Sequence, residues 1–591
     1  IGAGVTVTIQ PATVIKVDQG QWIQVEGTLA AKGTEDCPIL FTSYRDDSIG
    51  ENVSGAGDES AAIGDWEALY FDSGSDASVL EWAQVRYTGR DFGPGSGGVR
   101  SAVYLRGDAS PTFRDVTVWR SDGHGIEVQG SGTPVLERIH VQEVGLSAFF
   151  FSLASEPVAS GLSATGNGFD RILRAGGDLS GSRTWGDEGG LPIHLSENLR
   201  IEAESVLNLV PGTVVKLPDG QYLWVYGTLN AVGTALQPIV FTADDDDSVG
   251  GDSNGNGDAT APQKGSWDRF VFEGADASGS VLEWVEVRYN GRDFAPASGN
   301  VHPGISIDAS SPTLSNVLVR STDGTGVSIV GDGAEPILSD VRVEDSRDAY
   351  YIARAADPSL TRLSAAGNAF DRILQQGGTL QGDRTWGVSG PLPIHITSDN
   401  LVIPAGLTLT LVPGTVLKVP DGQYLWTDGG AIDARGTLSS PIVITADDDD
   451  TVGGDSNGNG TATVPQRGAW EGIYLDSPDG LTVVEHADIR WAGRDFAPSS
   501  GNLRDTIEIR QGSPAIRNTR IFGGDGIGIS IEGASTPVLD DVRVESSGGV
   551  AYSIAAAANP VLSGLTARDN AFDQIRQETG TLPGDRTWGT G

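Results

Sequence analysis

The chain has 591 residues, room for several domains or one long solenoid, and combines 82 Gly and 29 Pro with 38% hydrophobic residues. The absence of a Gly-X-Y period excludes collagen and the apolar fraction excludes a disordered linker, which leaves short buried strands joined by many turns. A formal charge of −40, from 79 acids against 39 bases, excludes the phosphate-neutralising surface of a nucleic-acid binder and points to cations as partners, with a saline habitat as the other source of acidity.

Along the chain, the first marked position is Lys16 after Thr-Val-Ile, which returns as Lys216 and Lys418; each is followed by a turn carrying an acid (Asp18, Asp219, Asp421), so a local ion pair is expected. Cys37 is the one cysteine, which excludes an intramolecular disulfide and reads as a small buried apolar group. Tyr44 to Asp58 is the first of three acidic loops, and its fuller forms run from Asp244 to Asp258 and from Asp447 to Gly460. In these, Asp252-x-Asn254-x-Asn256-Gly257 matches the D-x-[DN]-x-[DN]-G opening of calcium loops, where alternate oxygen-bearing side chains converge on one ion and glycine permits the sharp turn. Position twelve is Gln263 (Gln466 in the later loop) rather than the bidentate Glu, so the preceding Asp run is expected to substitute.

In an extended run Asp244 and Asp246 face one way and Asp245 and Asp247 the other, so two of the four easily serve one ion. The expected Ca2+ ligands are Asp244, Asp246, Asp247, Asp252, Asn254, Asn256 and Asp258, then Asp447, Asp449, Asp450, Asp455, Asn457 and Asn459. The first loop places Asn52, Ser54 and Ala56 where the second has Asp252, Asn254 and Asn256, so a weak or empty site is expected there. A solvated acidic turn is the reading without metal.

After the acidic loop comes Gly-Arg-Asp-Phe (Arg90-Asp91, Arg292-Asp293, Arg494-Asp495), a pair that pins its own loop or grips a sugar acid. Prolines then open alternating strands at Pro111, Pro134 and Pro157, at Pro312, Pro336 and Pro358, and at Pro514, Pro537 and Pro560, steps of 22 to 24 residues. Each stretch closes on Arg-Thr-Trp-Gly, with Trp185, Trp386 and Trp588 expected to plug the joint between units, or else to serve as carbohydrate platforms. His194 and His395 follow in Leu-Pro-Ile-His and, lacking a second ligand at metal spacing, read as strand residues.

The spacing of the Arg-Thr-Trp-Gly motif, 201 and then 202 residues, divides the chain into units 1–200, 201–402 and 403–591. A coil of about 23 residues holding short strands and turns is what a parallel β-helix requires; a β-propeller or a row of β-sandwiches is the alternative. On these proline-led coils the sequence resembles the right-handed parallel β-helix family of pectate-lyase-like architecture. Val225 to Phe241, with the Asp-rich loop and Gly265-Ser266-Trp267, is similar to repeats of large secreted bacterial surface proteins of that family.

The expected fold is therefore all-β, a solenoid of three tandem repeats, and the resemblance implies an extracellular or cell-surface location. Every candidate residue recurs in each unit and no Ser/His/Asp set, phosphate loop or zinc cluster stands out, so a calcium-stiffened stalk, adhesin or filament subunit is expected rather than an enzyme. A polysaccharide-binding rod and a polysaccharide lyase or hydrolase are the alternatives. Ile1 aligns with Ile201 and Ile403, and Gly591 falls where the other units continue into Leu-Pro-Ile-His. The expected partners are accordingly further copies of the chain, head to tail or in a longer array, and surface polysaccharide, with neither nucleic acid nor a membrane span.

Overall fold

Proline-led segments such as Pro336 to Glu344 form strands because their apolar residues alternate, but the alternation is re-phased once per coil. Leu338, Val341 and Val343 are all fully buried although the first two are three residues apart. Asp340 resolves the mismatch: its φ of 54° turns the chain in the left-handed region, ending one strand at Ser339 and starting the next at Arg342. The sequence pattern read as one strand is thus two, meeting at a corner.

The computed structural model describes all residues except 52–59, 92–97, 294–298, 388–391, 461, 478–479, 495–501 and 585–591, and the side chain of Asp258. Every ladder between its strands is parallel, and successive partners lie one coil apart, as in Thr112↔Val135↔Val158 and Ile126↔Phe149↔Ile172, or Ala515↔Val538↔Val561 further on. Parallel register at this offset is consistent with a parallel β-helix and is not that of a propeller or a sandwich, whose strands pair antiparallel. Only two short 3-10 turns, Gly257–Ala259 and Asp276–Gly279, interrupt the β structure of the described residues. None of them forms a helix long and apolar enough to cross a membrane.

The chain divides into two compact units, Ile1–Gly304 and Ile305–Gly591. In the first, the interior is filled by inward residues such as Phe71, Phe113, Phe149 and Phe151, all buried. Register also stacks the opposite, outward positions into a column running Tyr70, Tyr104, Glu127, Phe150, Leu173, His194, Lys216, Thr242. In the second unit the matching column runs Ser328, Tyr351, Leu374, His395, Lys418, Thr445, and another runs Trp426, Tyr474, Glu508, Ser530, Ser553. Both functional regions below are built on these columns.

One sequence expectation is corrected here and one alternative is removed. Cys37 is exposed rather than buried, because it closes the Thr34–Cys37 turn outside the ladder. Trp185 and Trp386 are buried and so present no platform; the Arg174 guanidinium lies 4.7 Å over Trp185. Trp588 lies outside the described residues.

Candidate functional site

The Asp-rich loop of the second sequence repeat folds back over the end of its column. Asp246 is buried and accepts from Thr242 Oγ1 (2.6 Å) and the Ser248 amide (3.2 Å), with Arg288 Nη1 at 3.3 Å; burial would raise its pKa, but these donors hold it below the usual carboxylate value. Asp244 pairs with His194 Nδ1, while His194 Nε2 lies 2.8 Å from Ser253 Oγ. Lys216 Nζ donates to that same Ser253 Oγ (2.7 Å) and to the Gly251 carbonyl (3.1 Å). Asp449, Asp447, His395, Ser456 and Lys418 repeat the arrangement in the second unit.

These contacts correct three readings. Lys216 and Lys418 do not pair with Asp219 and Asp421 but with the loop, since they share the column's outward face; in the first loop Lys16 likewise reaches the Glu51 carbonyl (2.8 Å) and Asp47 (3.8 Å). His194 and His395 are not ordinary strand residues but anchors of the loop. An Asp-His-Ser set does occur, twice, yet His194, Lys216 and Ser253 are sealed from solvent, so it fastens the loop and offers no nucleophile.

The remaining expected metal ligands lie as follows. The Asp252 carboxylate accepts from the Asn256 (3.1 Å) and Gly257 (2.9 Å) amides; Asn254 Oδ1 accepts from Asn256 (3.2 Å), and the Asn256 side chain donates to Thr260 (2.7 Å). Asp455, Asn457 and Asn459 make the same turn. Asp247 Oδ1 and Asp450 Oδ1 are buried without a hydrogen-bond partner, as is Asp47 Oδ1 at the equivalent position of the first loop. Burial pushes the Asp247 carboxyl up, and Asp252 and Asp245 push it further against the opposing charge of Lys216. Among the described residues no three His, Cys, Asp or Glu side chains are grouped to hold a metal ion. The Asp258 side chain and residues Asn52, Ser54 and Ala56 of the first loop lie outside the described residues.

A cleft of 590 Å3 opens beside the loop, lined by Asp219, Asp245, Thr260, Lys264 and Arg292, so the arginine of the Gly-Arg-Asp-Phe motif borders the acidic loop. Elsewhere the motif's residues bond outside the Arg-Asp pair: Asp91 holds Arg100 Nη2 across its own loop at 2.6 Å, and Arg494 Nε reaches Asp525 Oδ2, 31 residues on, at 2.8 Å. Asp495 lies outside the described residues.

Sequence reasoning missed the second region, on the exposed part of the first unit's column. Arg100, Tyr104, His124 and Glu127 line a cleft of 250 Å3. The Arg106 guanidinium lies 3.8 Å over the Tyr70 ring and 4.9 Å over Tyr104, and Tyr70 donates to Glu67 (2.6 Å). Burial raises the pKa of both phenols, Glu67 and Glu127 adding to it, so the hydroxyls stay protonated and act as donors. Burial lowers that of His124, whose Nδ1 faces the Ser147 carbonyl (3.3 Å), so its ring is neutral at neutral pH. A half-exposed cation, the Tyr104 phenol, an imidazole and a carboxylate can together bind hydroxyl-rich or anionic groups and move a proton.

The corresponding positions differ between repeats. The second has His302 on Asp268 and Val271 in place of Tyr70, whereas the third keeps Glu471, Tyr474, Arg504 and Arg510 where the first has Glu67, Tyr70, Arg100 and Arg106, and has Glu508, Ile527 and Ser530 where the first has Tyr104, His124 and Glu127. The signal was present in the sequence only as unlike residues at like positions, visible once register aligned them.

No family model and no curated protein matches the chain. Among solved structures it is similar to the catalytic domain of GH87 alpha-1,3-glucanase in complex with tetrasaccharides, at 12% identity and a TM-score of 0.21 over 68% of this chain. The chain spans 61% of that domain's length. It is also similar to PL6 family alginate lyase AlyGC, at 10% identity and a TM-score of 0.17 over 98% of each chain. A third is PfbA, a surface adhesin of Streptococcus pneumoniae, at 10% identity and a TM-score of 0.11 over 82% of this chain and 84% of that one. The expectation that the chain is no enzyme is withdrawn, since the solved structures it is similar to include catalytic domains of a glycoside hydrolase and a polysaccharide lyase. The premise of that expectation, identical sites in every unit, also fails: Arg100 is kept as Arg504 but is His302 in the second repeat, and His124 and Glu127 give way to Thr325 and Ser328, then to Ile527 and Ser530.

Proposed function

We propose that the chain is an extracellular right-handed parallel β-helix of three tandem repeats that binds polysaccharide at the cleft of Arg100, Tyr104, His124 and Glu127. The observation that carries this reading is the cleft itself, where a cation, the protonated phenol of Tyr104 and a carboxylate converge, with the buried Tyr70 ring behind Tyr104 at a centroid distance of 5.9 Å. Saccharides are held by such a mixture of aromatic surface and dense donors and acceptors. A stalk accounts for repetition, but not for outward residues that change from repeat to repeat.

The test is affinity for a panel of soluble polysaccharides, neutral and anionic, with the intact chain and with Arg100→Ala. A loss of at least tenfold is expected, and unchanged affinity for every glycan bound counts against this cleft. Turnover of the bound chain is a second reading, favoured by Glu127 and His124 beside Arg100. New reducing or unsaturated ends that vanish in Glu127→Gln would establish it, and their absence with the intact chain would remove it.

Calcium at the Asp-rich loops belongs to the same proposal, with Asp247, Asp252 and Asn254 as its ligands and Asp450, Asp455 and Asn457 in the later loop. Support comes from the unpartnered oxygens of Asp247 and Asp450, which a hard cation satisfies. The ion would neutralise clustered carboxylates and stiffen the loop. Calorimetric titration is expected to find two sites, both lost in Asp247→Asn/Asp450→Asn; three equal sites, or none, would refute it.

A further inference from the structure

At each corner of the ladder one residue adopts left-handed backbone, and most of these positions hold residues that tolerate it. In the second unit they include Asn316, Asp340, Asn518, Asp541 and Gly564. In the first unit the corresponding corner runs Trp82 (φ 48°), Asp115 (53°), Arg138 (52°) and Gly161 (65°), with the neighbours of Trp82 in register with those of Asp115 (Glu81↔Arg114, Ala83↔Val116), and the later repeats place Trp284 (51°) and His486 (48°) at the position of Trp82. A tryptophan there is strained where Asn or Gly would not be. The backbone beneath it is also fixed: the Gly33 amide donates to the Glu81 carbonyl (2.8 Å), and a Cβ at Gly33 would lie 2.6 Å from the Trp82 carbonyl oxygen.

What the strained residue presents is a wall of a 270 Å3 cleft whose other walls include Glu35, Gln84, Asp115 and Arg138. Arg138 holds both Asp115 oxygens (2.7 and 2.8 Å), which fixes the polar side of the cleft opposite the indole. Glu35 comes from the turn closed by Cys37; the same turn carries Ala235 in the second sequence repeat and Leu438 in the third, so this combination is unique to the first. An aromatic wall rimmed by fixed donors and acceptors suits the apolar face of a pyranose ring with its equatorial hydroxyls at the edge.

We propose that the Trp82 cleft is a second saccharide subsite, on a different sheet from the Arg100 cleft, that stacks one pyranose ring on the indole while Glu35, Gln84 and Arg138 take its hydroxyls. This rests on the polysaccharide reading above. The test is affinity of the intact chain, Trp82→Asn, Trp82→Phe and Arg100→Ala for soluble neutral glucan, mannan and polyuronate, with the melting temperature of each.

Trp82→Asn is expected to lose at least tenfold in affinity with its melting temperature unchanged or higher, since Asn relieves the backbone, and Trp82→Phe to retain most of the binding. Wild-type affinity in Trp82→Asn, with Arg100→Ala still weakened, overturns this subsite and leaves the first reading standing. Binding of no glycan by the intact chain overturns both. If Trp82→Asn fails to fold, Glu35→Ala/Gln84→Ala reads the same cleft from its exposed wall, and unchanged affinity there also overturns the proposal.

Discussion

His194 lies where the outward column passes under the cover of the Asp-rich loop, and burial there lowers its pKa from 6.5 to about 4 against the pull of Asp244. The unfolded chain therefore binds a proton between those values that the folded chain refuses. The contribution of His194 to stability is complete above about pH 6.5 and is lost as pH falls toward 4. His395 is shifted the same way, again chiefly by burial. Urea midpoints measured in chelator at pH 7 and pH 5 should show the wild type losing stability on acidification and His194→Asn/His395→Asn losing less; equal losses would remove the histidines from the account. No sequence pattern could expose this role, because Asp244 and Ser253 are 50 and 59 residues from His194 and only the ladder brings them to it. Cys37 was misread for the opposite reason: residue type argues for burial, while its turn projects from the coil.

At the scale of the element, the Asp run is a turn rather than the extended segment expected, the Asp246 amide bonding to the Ala243 carbonyl and the Asp247 amide to the Asp245 carbonyl, both at 3.1 Å. Asp244 and Asp246 do face one way, toward the coil, but there they meet His194, Thr242 and Arg288 rather than an ion; Asp245 instead meets Asn254 and Thr260 of its own loop. The first loop shows the same engagement without the calcium-like motif: Asp46 is buried, accepts from Thr42 at 2.6 Å and faces Arg86 at 3.9 Å. The third position of the run, Asp46 or Asp246, is thus a fastening. Asp246→Ala leaves the largely buried Arg288 without that partner and is expected to cost about 3 kcal/mol, with Asp449→Ala alike, whether or not calcium is present. Asp247→Asn should be close to neutral in chelator. Denaturant curves with and without calcium separate the two classes, and a calcium-dependent cost for Asp246→Ala would return that carboxylate to the metal.

Across the whole molecule, the proline-led period read from the sequence matches the one-coil register of the ladders, because a parallel ladder forces residues of one type onto one rung after another. What the period could not give is the left-handed residue that splits each long strand, or the unlike outward residues that make one repeat differ from the next, since neither disturbs the buried pattern. The same ladder predicts how damage spreads. Phe149 is fully buried and bonded in register only to Ile126 on one side and Ile172 on the other. Phe149→Ala should cost about 3 to 5 kcal/mol, and where each rung touches only its neighbours that cost stays local. Hydrogen exchange is expected to accelerate in Ile126–Val128, Ser147–Phe151 and Phe169–Arg174 while Ile529–Ile531 and Val550–Ile554 keep their protection. A uniform loss of protection would mean that the chain unfolds as one cooperative body, and the nearest-neighbour energetics of a ladder would not describe it.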